Sequence, residues 1–254
     1  MTLGEHLEDL RRMLLHVLAA VAVCAGAVFC LKDRTFGLLL APKDSGFVTY
    51  RAIERLAAAL GADFRFEPFH VDLISTELSA QFMTHLSASL ALGALLASPY
   101  VLYRLFLFVS PALYAHERRY AVPMLVWMYV LFVAGVLLSY FVLFPLAFRF
   151  LGTYQVAAEV RNVITLDSYV TTFTSLTLLM GLVFQLPVVA FVLARLGFLS
   201  ASLLARYRRH AVVLLMLVAA VITPPDVFTL VLVAVPLYLL YEACILIVRR
   251  VERR

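Results

Sequence analysis

Long apolar runs are the feature that most constrains the fold of this chain. A membrane-spanning helix needs roughly 20 consecutive apolar residues. The sequence has four runs of about that length, followed by two shorter ones on either side of a Pro-Pro pair. Uninterrupted runs favour helices over the alternating strands of outer-membrane barrels. We therefore predict six spans, which cover residues 13–31, 78–103, 120–148, 168–194, 211–222 and 227–248.

The composition excludes a soluble domain. Hydrophobic residues make up 64% of the chain and charged residues 15%, against roughly 45–50% and about 25% in soluble domains. The mean hydropathy is +0.97. We predict one all-α, polytopic integral-membrane domain over residues 1–254.

The last two predicted spans are short. The run 211–222 has 12 residues and ends at Thr223-Pro224-Pro225-Asp226. Neither proline can donate a backbone hydrogen bond within a helix, and each disfavours helical geometry in the residue before it. The pattern predicts a helical hairpin, with Asp226 capping the first amide groups of the sixth helix.

The loop charges predict the orientation in the membrane. If the loops alternate sides, 13 Lys and Arg residues lie on the side of both termini and 8 on the other, and 6 of those 8 lie in the long loop 32–77. Positive residues concentrate in short cytoplasmic loops. We therefore expect both termini in the cytoplasm. The net charge of +5 reflects this pattern and does not indicate a nucleic-acid partner.

The long loop 32–77 contains a segment with helical periodicity. In YRAIERLAAAL, residues 50–60, apolar residues recur at 53, 56, 57 and 60, and Gly61 follows. That spacing is typical of an amphipathic helix. We expect this helix to lie on the outer surface or to cap the bundle.

Two acidic segments are candidate binding elements. Glu8 and Asp9 precede the first span, and Glu117 precedes Arg118 and Arg119 at the start of the third. A carboxylate at the membrane face can accept a guanidinium in a two-pronged contact. The structural alternatives are a solvated helix start for the first segment and a local pair between Glu117 and a neighbouring arginine for the second.

Few other polar residues suggest chemistry. Gln185 lies ten residues before Arg195, roughly 15 Å into the membrane, where polar groups usually face protein or a cavity. The sequence has no metal-ligand spacing, phosphate-binding glycine loop or nucleophile motif. We predict no catalytic residue, metal site or cofactor, and therefore no enzyme.

Several strings together resemble the TatC family, the multispanning receptor subunit of twin-arginine protein translocation. They occur in the family's order and cover nearly the whole chain. The strings are His6-Leu7 with Leu10-Arg11, Ala41-Pro42, Ser110-Pro111-Ala112-Leu113-Tyr114, His116-Glu117-Arg118-Arg119, Tyr140-Phe141, Phe144-Pro145-Leu146-Ala147-Phe148, Phe184 with Pro187, Thr223-Pro224-Pro225-Asp226-Val227-Phe228, and Glu242.

The resemblance implies a receptor for signal peptides with paired arginines, on folded cargo, in a bacterial-type cytoplasmic (inner) membrane. The family's signal-contact acids correspond to Asp9, with Glu8 as the alternative, and to Glu117; Leu113, Arg118 and Arg119 belong to the same motif. The implied partners are TatA- and TatB-like single-span subunits, membrane lipids and further copies of the chain. The resemblance assigns partner-docking or structural roles to Pro42, Gln185, Thr223 and Asp226.

Three departures from the family and two alternatives stay open. The family often has glutamate in place of Gln185 and a polar residue in place of Leu230, and the segment 50–60 resembles an insertion. Gln185 and the interrupted helices would also suit a secondary transporter for a small solute. A purely structural membrane subunit is the other alternative.

Overall fold

The computed structural model describes residues 3–62, 65–69, 71–109, 118–157 and 162–253. This part of the chain is mostly helical, as predicted, and its helices are numbered here in chain order. They are α1 (Leu3–Cys30), α2 (Lys32–Leu40), α3 (Val48–Ala59), α4 (Ala80–Val109), α5 (Arg118–Leu138), α6 (Phe144–Thr153), α7 (Leu166–Val183), α8 (Leu186–Arg195), α9 (Ala201–Arg206), α10 (Arg208–Ile222) and α11 (Val227–Glu252).

Five of the described segments are long and apolar enough to cross a membrane. They are Leu7–Cys30, Ala80–Phe108, Pro123–Thr153, Leu166–Arg195 and Val227–Glu252. They correspond to the first four predicted spans and the sixth. The prediction of a short sixth span is wrong, because α11 continues to Glu252 and has 26 residues. The predicted fifth span is α10, a helix of 15 residues and thus about 22 Å long. Its length is below that of a full span, so the count of six stays a prediction.

Helix α1 runs antiparallel to α4 and packs closely against it. Gly93 lies so near Ala25 that a Cβ at position 93 would be 2.5 Å from the Ala25 nitrogen. Further along, Phe29 stacks on His85 with ring centroids 4.1 Å apart. The start of α1 therefore lies beside the end of α4, and the later helices alternate in direction.

The bundle thus has two distinct ends. We call the end that holds the start of α1 and the end of α11 the termini end. The opposite end, where α2, α3 and the Pro224-Pro225 turn lie, is the cap end.

The third and fourth spans are each interrupted within the length that the sequence predicts for them. Between α5 and α6 the residues Ser139–Leu143 form a π-helical turn, and two residues separate the end of α7 from the start of α8. Pro145 and Pro187 explain both breaks, because a proline removes a helical donor and clashes with the carbonyl four residues earlier. The Phe141 carbonyl, four residues before Pro145, accepts a hydrogen bond from the Thr49 hydroxyl instead.

The long loop folds into a cap. It contains α2, a 3₁₀ turn at Ala41–Lys43 and α3, and α3 confirms the helix predicted near residues 50–60. The two residues Leu73–Ile74 (β1) pair in parallel with Ile164–Thr165 (β2). This small strand pair is missing from the all-α prediction, because strands of two residues whose partners lie 91 positions apart carry no local strand signal.

Aromatic side chains join the cap to the bundle. In the core, Phe144 packs edge-on against Tyr169 and Phe173, with centroids 5.1 and 4.9 Å away. Above this core, the Arg149 guanidinium lies over the rings of Tyr50, Phe66 and Phe69, at 5.5, 4.3 and 4.8 Å from their centroids. Cation–π contacts of this kind add to packing where water is excluded, so they hold the loop against α6.

Candidate functional site

The N-terminal acids lie in the first turns of α1. Glu8 and Asp9 are both exposed. A Glu8 carboxylate oxygen is 3.7 Å from an Arg11 guanidinium nitrogen, and both side chains are more than half exposed. Exposed pairs of this kind contribute little to stability. Glu8 therefore keeps a local partner that an incoming guanidinium would have to replace.

The packing of α1 on α4 brings the N-terminal acids to the termini end. Because Ala25 faces Gly93 and the helices are antiparallel, Asp9 lies about level with the last turn of α4. Helix α4 ends at Val109 and α5 begins at Arg118. Leu113 and Glu117 lie outside the described residues, as do the side chains of Arg118 and Arg119, and the predicted contacts of these four residues stay predictions.

Gln185 is buried between spans, as its depth predicts. Its side chain is 8% exposed, and its amide nitrogen donates to the Met128 carbonyl on α5 at 3.0 Å. The amide oxygen has no partner among the described residues. Gln185 thus faces protein and ties the break between α7 and α8 to α5.

Pro42 lies in the cap, inside the 3₁₀ turn. It is buried, and its carbonyl accepts a long hydrogen bond of 3.4 Å from the Tyr50 hydroxyl. The same hydroxyl donates to the Pro145 carbonyl at 2.8 Å. Burial raises the pKa of Tyr50 to about 12, although the nearby Arg149 charge opposes the rise. Tyr50 therefore stays a neutral donor that joins Pro42 to the break in the third span.

Thr223 and Asp226 bind backbone within their own hairpin. The Thr223 hydroxyl donates to the Ala219 carbonyl at 2.9 Å. Asp226 accepts from the Thr229 amide at 2.7 Å and also from the Thr229 hydroxyl. The predicted cap of the last helix is confirmed, and these contacts are structural.

A polar cluster near the termini end is absent from the sequence prediction. Glu242 precedes Arg249 by seven residues, a spacing that favours a pair between the two or a side chain that extends toward water. Instead its carboxylate accepts from Arg208 at 2.8 Å and from the Tyr238 hydroxyl at 3.0 Å. The sequence signal that could have found this contact is the symmetry of the hairpin, because positions equally far from the Pro224-Pro225 turn face each other. Arg208 and Glu242 are nearly equally far from that turn.

An apolar groove lies between the third span and the last helix, toward the cap end. Its volume is about 650 Å³. The lining side chains are Leu138, Val142, Leu143, Val227, Phe228, Val231, Leu232, Val235, Pro236 and Leu239. A surface of this kind suits an apolar segment and offers no group for chemistry. Among the described residues, no group of three His, Cys, Asp or Glu side chains could hold a metal ion.

Comparisons with known proteins agree on one family. The family model described as "Sec-independent protein translocase protein (TatC)" matches residues 5–236. The TatC protein of Blattabacterium sp. subsp. Periplaneta americana is 30% identical over 97% of this chain and 94% of its own length. The TatC protein of Aquifex aeolicus is 32% identical over 100% of this chain and 97% of its own length.

A solved structure shares the fold. The crystal structure described as a "Twin Arginine Translocase Receptor- TatC" superposes with a TM-score of 0.78 at 31% identity. The match covers 97% of this chain and 99% of that one. The similarity in fold therefore extends over the whole bundle and its cap.

Proposed function

Because the chain belongs to the TatC family of Sec-independent protein translocase proteins, we propose that it binds twin-arginine signal peptides at the cytoplasmic membrane face. Membership makes it a subunit of the twin-arginine translocase. The comparisons give no support to the alternative of a small-solute transporter. Within the translocase, we propose a receptor role without catalytic chemistry of its own, in support of the export of folded proteins.

The observation that carries this proposal is the antiparallel packing of α1 on α4. The contact of Gly93 with the Ala25 backbone fixes the register that brings Glu8 and Asp9 level with the end of α4. The segment with Glu117 follows directly in the chain. Two acidic segments at one end are what a ligand with two neighbouring guanidinium groups requires.

The chemistry favours arginine over lysine in the ligand. The planar guanidinium can donate two parallel hydrogen bonds to a carboxylate, while an ammonium acts as a point charge. Asp9 is the first choice for the N-terminal contact, because it matches the position of the family's contact acid, and Glu8 is the alternative. Glu117 supplies the second contact, and Leu113, Arg118 and Arg119 shape the surface around it.

The membrane arrangement completes the proposal. The chain spans a bacterial-type inner membrane six times with α10 as the fifth span, and both termini are cytoplasmic. Support comes from the excess of Lys and Arg in the loops of the termini end. The short α10 fits this arrangement if the bilayer thins locally around it.

Single-span TatA- and TatB-like subunits dock along α10, α11 and the apolar groove in this proposal, and further copies of the chain join the receptor complex. Support comes from the many exposed apolar side chains of α10, among them Val213, Leu217 and Val221 at 60, 60 and 84% exposure. Lipid or an apolar partner helix can cover them.

Signal-peptide binding tests the receptor site. We expect Glu117→Gln and Asp9→Asn each to weaken binding of a twin-arginine peptide by about tenfold or more, since a charge-assisted hydrogen bond contributes about 1.5–3 kcal/mol. Affinity is measured with a fluorescent peptide and protein in nanodiscs. A peptide with two lysines in place of the arginines is the control, and the variants should affect its binding less.

Glu8→Gln is the matched variant for the N-terminal contact. If Asp9 is the acceptor, Glu8→Gln leaves the affinity for the peptide nearly unchanged. If Glu8 is the acceptor, Glu8→Gln weakens binding and Asp9→Asn leaves the affinity nearly unchanged. Equal affinity of the wild type and Glu117→Gln for the twin-arginine peptide would mean that Glu117 is only a structural partner of a neighbouring arginine. That result would contradict the proposed site.

A further inference from the structure

Helix α3 is held in a fixed orientation on the cap. Thr49 and Tyr50 are buried on its inner face, and Tyr50 donates to the Pro145 carbonyl at 2.8 Å. One turn later, the Glu54 carboxylate accepts from the Phe66 amide at 2.9 Å. Contacts in two successive turns fix the rotation of the helix about its axis, so the directions of its other faces are set by the protein.

The remaining surface of α3 divides into an apolar and a basic flank. Val48 and Leu56 are 62 and 63% exposed, and the C-terminal neighbour Leu60 is 81% exposed. Val48, Ala52 and Leu56 recur every four residues, which keeps them within roughly 80° around a helix of 3.6 residues per turn. At the same spacing of about 100° per residue, the exposed Arg51 and Arg55 lie on the opposite side of Val48 from Leu56.

The first turn of α3 lies about one hydrocarbon thickness along the third apolar segment from Pro123. Phe47, which precedes α3, packs on Tyr140 and Phe141 with centroids 5.7 and 6.0 Å apart, and Thr49 binds the Phe141 carbonyl. Phe141 is 18 residues beyond Pro123, the first residue of the apolar segment, or about 27 Å along a helix. The hydrocarbon core is about 30 Å thick.

We propose that α3 is an interfacial helix that binds the lipid surface at the cap end. Val48, Ala52 and Leu56 enter the boundary between headgroups and acyl chains, and Arg51 and Arg55 contact lipid phosphates. An apolar flank beside a basic flank is typical of helices that lie in the membrane interface. The depth of its first turn and the charge of Arg51 and Arg55 favour lipid over a second protein copy. The proposal is independent of the signal-peptide site at the opposite end.

Quenching of a fluorophore tests this assignment. The full chain carries Ala in place of Cys24, Cys30 and Cys244, and a single labelled cysteine is introduced by Leu56→Cys or, as the matched control on the neighbouring flank, Arg55→Cys. The protein is placed at one copy per nanodisc. A phospholipid with a nitroxide near the top of its acyl chain should quench the Leu56→Cys label several-fold more than the Arg55→Cys label. Aqueous iodide should show the opposite order.

Three outcomes would overturn the proposal. Strong quenching of both labels by iodide would place α3 in water. Protection of the Leu56→Cys label from both quenchers in single-copy discs would mean that this flank packs on the protein itself. Protection that appears only in discs with two copies would assign the flank to a second chain.

A charge variant tests the arginines separately. In nanodiscs with anionic phospholipid, the combined change Arg51→Gln and Arg55→Gln should reduce quenching of the Leu56→Cys label by the lipid nitroxide. In discs of zwitterionic lipid alone the reduction should be smaller. Unchanged quenching in the anionic discs would overturn the phosphate contact. Unaltered binding of twin-arginine peptide in the same samples shows that the receptor site is intact, so failures of the two proposals are distinguishable.

Discussion

At the scale of single residues, one polar side chain compensates for the break at Pro145 and another ties the break at Pro187 to a neighbouring helix. Prolines 145 and 187 interrupt two helices, and a polar group lies at each break. The Thr49 hydroxyl binds the Phe141 carbonyl, and the Gln185 amide binds the Met128 carbonyl at 3.0 Å. In a bilayer such groups are valuable because unsatisfied backbone atoms find no water.

We expect Gln185→Leu to lower the free energy of unfolding by about 0.5–1.5 kcal/mol, the usual net contribution of one hydrogen bond. The measurement is unfolding in mixed detergent micelles followed by circular dichroism. Gln81→Leu is the control, because Gln81 is exposed at the start of α4. A gain in stability from Gln185→Leu would indicate a lipid-facing side chain and contradict the structure.

At the scale of elements, one glycine determines how closely the first span approaches the second. A Cβ at position 93 would lie 2.5 and 2.6 Å from the nitrogen and Cα of Ala25, and backbone atoms cannot yield as a flexible side chain can. Small residues allow membrane helices to pack at such short distances. The same contact sets where Asp9 lies relative to the end of α4.

We expect Gly93→Ala to push α1 away from α4, to cost on the order of 1–3 kcal/mol of stability, and to weaken twin-arginine peptide binding while both carboxylates remain. Gly26→Ala is a matched control on α1, since nothing lies within 4 Å of its added Cβ. Stability and peptide affinity are measured on both variants. Equal behaviour of the two would show that the α1–α4 contact does not position the site.

At the scale of the whole molecule, the two ends of the bundle differ in chemistry. The termini end carries most of the arginines and the acidic segments, while the cap end carries the aromatic contacts around Arg149. This asymmetry is the physical basis for assigning the termini end to the cytoplasm.

Cysteine labelling checks that assignment. With the three native cysteines replaced, Ser45→Cys at the cap end should react with an impermeant thiol reagent in intact cells. Ser202→Cys in α9, at the termini end, should react only after the inner face is opened. Both side chains are exposed, so their difference reports the side of the membrane. The reverse order would place both termini outside.

The sequence alone determined the features that depend on local chemistry. The length of the apolar runs predicted the long spans, and the spacing of apolar residues predicted the helix α3. The Pro224-Pro225 pair predicted the hairpin turn, and Asp226 predicted the cap of α11. Each follows from a requirement met within one stretch of chain: hydrocarbon thickness, a missing donor, an unsatisfied amide or apolar residues at the helical period. The candidate acids were also found this way, as carboxylates beside apolar runs.

Which of these surfaces meet depends on how the distant segments pack in the folded chain. Arg208 rather than Arg249 binds Glu242, Thr49 supplies the donor for a carbonyl 92 residues away, and Arg149 lies over three rings of the long loop. The position of Asp9 level with the end of α4 likewise depends on Gly93 against Ala25. Contacts between distant segments depend on helix register and rotation, which apolar periodicity leaves undetermined because every face of a membrane helix is apolar.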